Sequence, residues 1–357
     1  MTMQWRRALV CATVLLAAVA LAGRAQAARG LEIYFCDTEG GAATLIVTPA
    51  GESTLIDCGN PGDRDADRIY RTAKRAGLKQ IDNLVITHWH TDHYGGAGPL
   101  AKRIPILHFY DHGIPAESID DPEHFPTLIA AYKEASHGKS TQVDPGDEIP
   151  LKQSGPLPVH LRCIVARQET IPDMPGAPQN PIAAESTMKD KDPSDNANSL
   201  GFVLTFGDFR FLDLGDLTWN IESKLVSPTD KIGPIDVYQS THHGLDISNN
   251  PVVIRTVRPT VAIYNNGPHK GGAVALTASL RQVGTVQQIY QLHRNLDASA
   301  ADNAPDHQIA NAEDTDACKG EGVHLSVAAD SRTYTVQAGP HGKIGHFKTR
   351  EPRPHRI

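Results

Sequence analysis

The 357-residue chain has no excess of basic residues: 34 Lys and Arg stand against 41 Asp and Glu, a formal net charge of -7 at pH 7. It also lacks a basic stripe interleaved with aromatics, and aromatics make up only 6% of it. Holding a polyanion depends on neutralising phosphates, so both absences count against a protein built around nucleic acid. The five cysteines are spaced unlike any zinc knuckle, which excludes a thiolate-based zinc module. No segment recurs at a fixed period, which excludes solenoids and propellers. Beyond the first 27 residues, nothing resembles a membrane-spanning apolar run.

The first 27 residues read as a secretory signal. Trp5-Arg6-Arg7 forms a basic start, Ala8 to Ala22 is an almost unbroken apolar run, and Ala25-Gln26-Ala27 offers small residues for cleavage. The expectation is cleavage after Ala27 and export to the periplasm or the medium. An uncleaved anchor is the rival, since the run is near the borderline of spanning length. No cysteine sits at the cleavage site, against a lipoprotein. The signal removes Arg6, Arg7 and Arg24 and no acid, leaving the remainder near -10. Cys36, Cys58, Cys163 and Cys318 then stand where disulfides can form. Cys36 and Cys58 each end a strand-like run, and both a bridge between them and buried free thiols stay open.

The remainder suits one domain over 28–339, with long loops at 167–195 and 295–319 and a mobile basic tail at 340–357. Leu31 to Phe35, Ala43 to Thr48 and Ser53 to Asp57 read as an antiparallel meander broken by Gly40-Gly41 and Pro49-Ala50-Gly51. Ala66 to Ala76 carries helical spacing and stops at Gly77. Leu84 to Thr87 is a continuous apolar run, the pattern of a strand buried on both faces. Further strands are expected at 106–109, 160–165, 200–205, 209–214, 237–240, 261–264, 287–292 and 323–327. Helices are expected at 126–135, 220–226, 251–257 and 277–283. Strands and helices alternate through the second half, as in an α/β fold.

The chemistry concentrates where the buried run ends. His88-Trp89-His90-Thr91-Asp92-His93 puts four ligand-type side chains into six residues, followed by Gly95-Gly96, which would let the backbone pass near an ion. Imidazole and carboxylate are the preferred non-thiolate donors for zinc. A single tetrahedral zinc with an open position could not use all four, so two metals are implied. A polar surface turn with helix-capping histidines is the bland alternative, and four candidates within six residues weigh against it.

These residues resemble the HxHxDH signature of the metallo-β-lactamase fold, and Leu55-Ile-Asp-Cys-Gly59 resembles the LIDTG turn that precedes it there. Asn196-Ala-Asn-Ser-Leu200, Leu214-Gly-Asp-Leu217, Thr241-His-His-Gly244 and Asn265-Asn-Gly-Pro-His269 resemble, in order, motifs of the ComEC-type competence hydrolase branch. The resemblance implies a four-layer αββα sandwich with its site along one edge. It also implies that His88 and His90 hold one metal, that Asp92, His93 and His243 hold a second, and that Asp216 bridges them. His242 is the rival for that late place; His243 is preferred because it precedes Gly244, and His242 would then stand behind a ligand. Asn196 occupies the place of a third histidine of the first metal; its amide is a weak zinc donor, so manganese is an alternative cation there.

On that reading the chain is an exported hydrolase. Zinc lowers the pKa of a bound water towards neutrality, and two ions about 3.5 to 4 Å apart can present the hydroxide and stabilise the leaving oxygen. Asp92 would orient the nucleophile, and His269 would contact the substrate or protonate the leaving group. A carboxylate at Asp216 and the competence-like motifs favour a phosphodiester, and the acidic charge favours a small or envelope-associated one over nucleic acid. Lactone or ester hydrolysis on the same fold, oxygen-activating iron chemistry, and a non-catalytic metal-binding envelope module are the alternatives.

Overall fold

The computed structural model describes residues 29–315 and 318–350; the expected signal segment, 1–27, lies outside them. Strands β1 (Leu31–Phe35), β2 (Thr44–Val47), β3 (Ser53–Ile56), β4 (Ile81–Val85), β5 (Ile106–Asp111) and β6 (Thr141–Gln142) follow one another across a first sheet. Strands β7 (Glu148–Ile149), β8 (Val159–Ala166), β9 (Glu169–Thr170), β10 (Gly201–Phe206), β11 (Phe209–Asp213), β12 (Val237–Gln239), β13 (Val261–Tyr264), β14 (Gln288–His293) and β15 (Ile309–Asn311) build the second. The chain then returns to the first sheet with β16 (Val323–Val327), β17 (Thr333–Ala338) and β18 (Gly345–Lys348), pairing β16 against β1. Each sheet has nine strands among the described residues.

Helices α1 (Asp63–Arg75), α2 (Thr91–Tyr94), α3 (Ala97–Ala101) and α4 (Phe125–Ala135) come from the first half. From the second come α5 (Trp219–Lys224), α6 (Pro251–Val257) and α7 (Val274–Gln282). Strand alternation sorts side chains into three buried layers. Leu31, Ile33 and Phe35 meet Phe202, Leu204 and Phe211 between the sheets. On the outer face of the first sheet, Leu45, Leu55 and Leu84 pack against Ile69 of α1 and Tyr132 of α4. On the outer face of the second, Leu212, Tyr238 and Ala262 pack against Ile221, Ile254 and Leu280. The order is therefore helix, sheet, sheet, helix, as the resemblance implies. No described helix is long and apolar enough to cross a membrane.

Strand β4 begins at Ile81, ahead of the apolar run, because its buried Asp82 accepts hydrogen bonds from Ser53 N and Oγ, both 2.9 Å. All five of its residues are buried, between parallel neighbours β3 and β5. Two expectations are corrected. The stretch from 340, read as a mobile tail, contributes the edge strand β18, whose Phe347 stacks on Tyr334. The loops at 167–195 and 295–319 contain β9, an antiparallel partner of β8, and β15, a short parallel partner of β14. Cys36, Cys58, Cys163 and Cys318 are free thiols, the first three buried.

Strands β3 and β4 run parallel, as do β11, β12 and β13. Their carboxyl ends therefore open along one edge, where loops can deliver side chains without disturbing either core. Leu200 N donates to Thr87 O at 2.9 Å, tying the two sheets together at that edge.

Candidate metal centre

The early cluster leaves β4 through Thr87 and closes into the short helix α2. Asp57, at the end of β3, fixes its geometry: Oδ1 accepts from Thr87 N (2.8 Å), and Oδ2 accepts from Thr87 Oγ1 (2.8 Å) and His93 Nδ1 (2.7 Å). The Thr87 hydroxyl, having donated to Asp57, receives His88 Nδ1 at 3.1 Å. One buried carboxylate thus holds a proton on Nδ1 of His93 directly and of His88 through the Thr87 hydroxyl, and turns both Nε2 atoms towards the second sheet.

The two Nε2 atoms converge with side chains from the second sheet. His93 Nε2 lies 3.2 Å from Asp216 Oδ2 and 3.3 Å from His243 Nε2. His243 Nε2 lies 3.1 Å from Asp216 Oδ2 and 3.3 Å from Asp92 Oδ2. His88 Nε2 stands 3.9 Å from Asp216 Oδ2. Two overlapping groups result, each with its donor atoms within 4.8 Å of one another: His88, His93 and Asp216, and Asp92, His93 and His243. His93 is common to both. Their chemistry fits a divalent cation, because His88 Nε2 and Asp216 Oδ1 are buried with no hydrogen-bond partner.

Electrostatics points the same way. Burial alone would raise Asp216, but His243, His93 and His242 hold its carboxyl well below the usual range. Burial alone would lower His93, but Asp216, Asp57 and Asp92 push it well above its ordinary value. Burial drives His88 well below its ordinary value. The pocket favours positive charge at its centre while keeping His88 a neutral donor.

The late loops are held in an unusual conformation. His242 and His243 both have positive φ (53° and 55°), which costs on the order of 1–3 kcal/mol per residue outside glycine. Neighbouring loops hold them there: His242 N donates to Gly215 O, and Gly272 N donates to His243 O, both at 2.9 Å. The result aims both rings at Asp216. His242 Nε2 is 3.4 Å from Asp216 Oδ2, while its Nδ1 meets Ser248 Oγ at 3.2 Å. His242 therefore stands beside His243 at the cluster.

Other expected residues sit at the margin. His90 packs its ring 4.7 Å from that of His88, and its Nε2 is 3.0 Å from Asp120 Oδ2, so Nδ1 is the nitrogen left for an ion. Asn196 is buried with Oδ1 unpartnered, on the wall of a cavity of about 750 Å³ beside Thr218 and Trp219. His269 is not brought to the cluster: it is 57% exposed and bound to Asp297 (2.9 Å) and Asp314 (3.6 Å). Lys270, its neighbour, reaches in instead, with Nζ 2.5 Å from Asp92 Oδ2. Gly95 and Gly96 have another purpose than the one expected, since a Cβ there would fall 2.5 Å from Pro61 Cδ and 2.0 Å from Cys58 O. They allow α2 to pack on the turn after β3.

The supporting network was not visible in the residue pattern. Asp195 Oδ2 accepts from Trp89 N (2.7 Å) and His112 Nε2 (3.0 Å), and Asp195 N donates to Asp120 Oδ2 (2.8 Å). The end of the 167–195 loop is thereby locked to the early cluster. A third group, Asp37, His293 and Cys318, also gathers ligand-type atoms. Arg68 Nη1 stands 3.0 Å from Asp37 there, so a guanidinium already supplies the positive charge.

Residues 37–167 match the family model of the metallo-beta-lactamase superfamily. ComE operon protein 3 of Bacillus subtilis (strain 168) is 27% identical over 198 residues, 56% of this chain and 21% of that protein. Ribonuclease Z of Methanopyrus kandleri is 30% identical over 110 residues, 30% of this chain and 35% of that protein. The matches thus span from about a fifth to about a third of those relatives' lengths. Among solved structures, the metallo-beta-lactamase fold protein YhfI from Bacillus subtilis aligns at a TM-score of 0.44 and 13% identity, over 73% of this chain and 96% of that one. The early ligand cluster lies inside the region 37–167 that is similar to the metallo-beta-lactamase superfamily.

Proposed function

We propose that the chain is an exported metal-dependent hydrolase, loaded with zinc, that cleaves a small phosphodiester-type substrate. The observation that carries this reading is the pair of overlapping His/Asp groups whose buried donors, His88 Nε2 and Asp216 Oδ1, have no partner within the protein. His88, His93, His243, Asp92 and Asp216 would hold the metal, with His90 and His242 at its margin. A divalent cation bound there supplies Lewis-acid activation of water and of the scissile group.

The chain's own residues supply the rest. Asp57 and Thr87 keep both early histidines in the tautomer that presents Nε2. Asp92 is the one carboxylate of the cluster with appreciable exposure, 16%, and is placed to accept a hydrogen bond from the attacking water. The neighbouring cavity, where Lys189 and Lys191 alternate with Asp190 and Asp192 beside Met188, Trp219 and Ile247, offers an apolar wall for an organic substituent and no excess of either charge. Asn220 holds that wall in place by exchanging hydrogen bonds of 2.9 and 2.8 Å with the Lys189 backbone. A relative named ribonuclease Z favours phosphodiester chemistry, and the net charge of -7 favours a small substrate over a polynucleotide.

The test is turnover of bis(p-nitrophenyl) phosphate and p-nitrophenyl butyrate by protein stripped with chelator and then reloaded with zinc. Metal-dependent cleavage of the phosphodiester supports the reading. Cleavage of the carboxylic ester alone would transfer the chain to the ester-hydrolase reading, and cleavage of neither would leave a metal-binding module.

A further inference from the structure

Lys270 is absent from every ligand-type pattern in the sequence, yet its ammonium stands 2.5 Å from Asp92 Oδ2, at the mouth of the metal centre. Its side chain is 42% exposed whereas that of Asp92 is 16% exposed, so the lysine lies between the carboxylate and solvent. The path of its stem is built in. Gly40 (φ +92) lies so close that a Cβ there would fall 3.0 Å from Lys270 Cβ and 3.1 Å from Cδ. Gly267 N donates to Lys270 O at 2.8 Å, closing the turn that projects the residue. Against burial, His93, His243 and Lys270 hold Asp92 low, and Lys270 opposes Asp216 at His243, which stays above its ordinary value.

A cation this near the candidate ligands is costly for binding a metal ion, because it repels the same charge that Asp92 attracts. The partly exposed side chain is within reach of a ligand that approaches the centre from solvent. We propose that Lys270 is a catalytic residue that binds a non-bridging oxygen of an anionic substrate at the mouth of the centre. The proposal rests on the hydrolase reading above and adds to it a requirement for negative charge on the substrate. Lys270 makes no covalent bond and transfers no proton; it offers a fixed donor to charge that grows as the scissile bond lengthens.

The test compares wild type, Lys270→Met and Lys270→Arg, each as the zinc-loaded full chain. Anionic bis(p-nitrophenyl) phosphate and neutral p-nitrophenyl acetate are the substrates, and zinc content and binding of inorganic phosphate by calorimetry are measured on the same samples. Lys270→Met is expected to lose about 10- to 100-fold in kcat/KM on the phosphodiester and a similar factor in phosphate affinity, with the acetate rate changed by less than about threefold. Zinc content stays at the wild-type value, and Lys270→Arg recovers most of the phosphodiester rate. Equal losses on both substrates, reduced zinc, or phosphate binding that is absent from wild type or unchanged in Lys270→Met would overturn the proposal. If wild type turns over neither substrate, the hydrolase reading fails by itself, and the phosphate comparison still decides whether Lys270 binds the anion.

Discussion

Asp57→Asn separates the charge of this carboxylate from its size. Asp57 has φ 59°, and Asn tolerates left-handed backbone better than most residues, so the turn after β3 is preserved. The hydrogen bonds are not. If the amide oxygen keeps the bond from Thr87 N, the NH2 group faces His93 Nδ1, which must then accept. The proton moves to His93 Nε2, the atom that faces Asp216 and His243, and that nitrogen can no longer bind a cation. If the amide is turned over, the NH2 group meets Thr87 N–H, and two buried donors oppose each other at a cost of about 1–3 kcal/mol. Either arrangement penalises the metal-binding tautomer. Loss of a carboxylate behind a histidine ligand costs roughly 10- to 100-fold in metal affinity, or about 1.4 to 2.8 kcal/mol. Competition between the protein and a chromophoric chelator for zinc measures it, with thermal unfolding of chelated protein as the control for folding. Wild-type zinc affinity in a folded Asp57→Asn protein would refute the assignment of His93 Nε2 as a donor.

Asp216→Ala is expected to lose at least one metal and nearly all hydrolysis while retaining its circular dichroism spectrum, since the three apolar layers lie elsewhere; retained metal and rate would remove Asp216 from the centre. Glu222 is buried on the inner face of α5, and desolvation raises its carboxyl to about 7 from 4.5. The folded state therefore holds the proton more tightly, and the stability this group contributes is full below pH 4.5 and is lost as pH rises through 7, by about 3 kcal/mol. Relative to wild type, Glu222→Gln should be more favourable at pH 8 than at pH 5 by about 2.5 kcal/mol in denaturant unfolding, because about 1 kcal/mol is already lost at pH 5, and a pH-independent difference would contradict the assignment. Phe211→Ala, between the sheets and edge-on to Phe35 at 5.7 Å, should cost about 3–5 kcal/mol by the same measurement; a loss near zero would mean that the inter-sheet layer does not hold the fold.

Elements with a plain period were legible in the chain. Leu31–Phe35, Pro251–Val257 and Val261–Tyr264 have the boundaries that the sequence predicts, because apolar periodicity and Pro or Gly punctuation agree there. The predicted start of β4 fails at Asp82, whose charge is satisfied by Ser53 across the sheet, a partner that no local window contains. Two-residue strands such as β6 and β7 are shorter than any period. The sequence reading also stops short of β17, although Tyr334, Val336 and Ala338 alternate as a half-buried strand should. In the site, residue type identified the side chains that converge, because His and Asp crowd few places for any other reason. Direction was not legible. His269 and Lys270 are adjacent, and only the turn of the backbone decides that the lysine enters and the histidine pairs with Asp297 and Asp314. Asp120, Asp195 and His112 likewise act across long separations, and no spacing rule connects them.

The most direct test of the centre is anomalous diffraction at the zinc edge from crystals of the zinc-loaded chain. The expected result is density about 2.0–2.2 Å from His88 Nε2, His93 Nε2 and a carboxylate oxygen of Asp216, with His243 and Asp92 around the same ion or a second one beside it. Zinc found instead at Asp37, His293 and Cys318, or no zinc among the histidines at the ends of β4 and β12, would contradict the account.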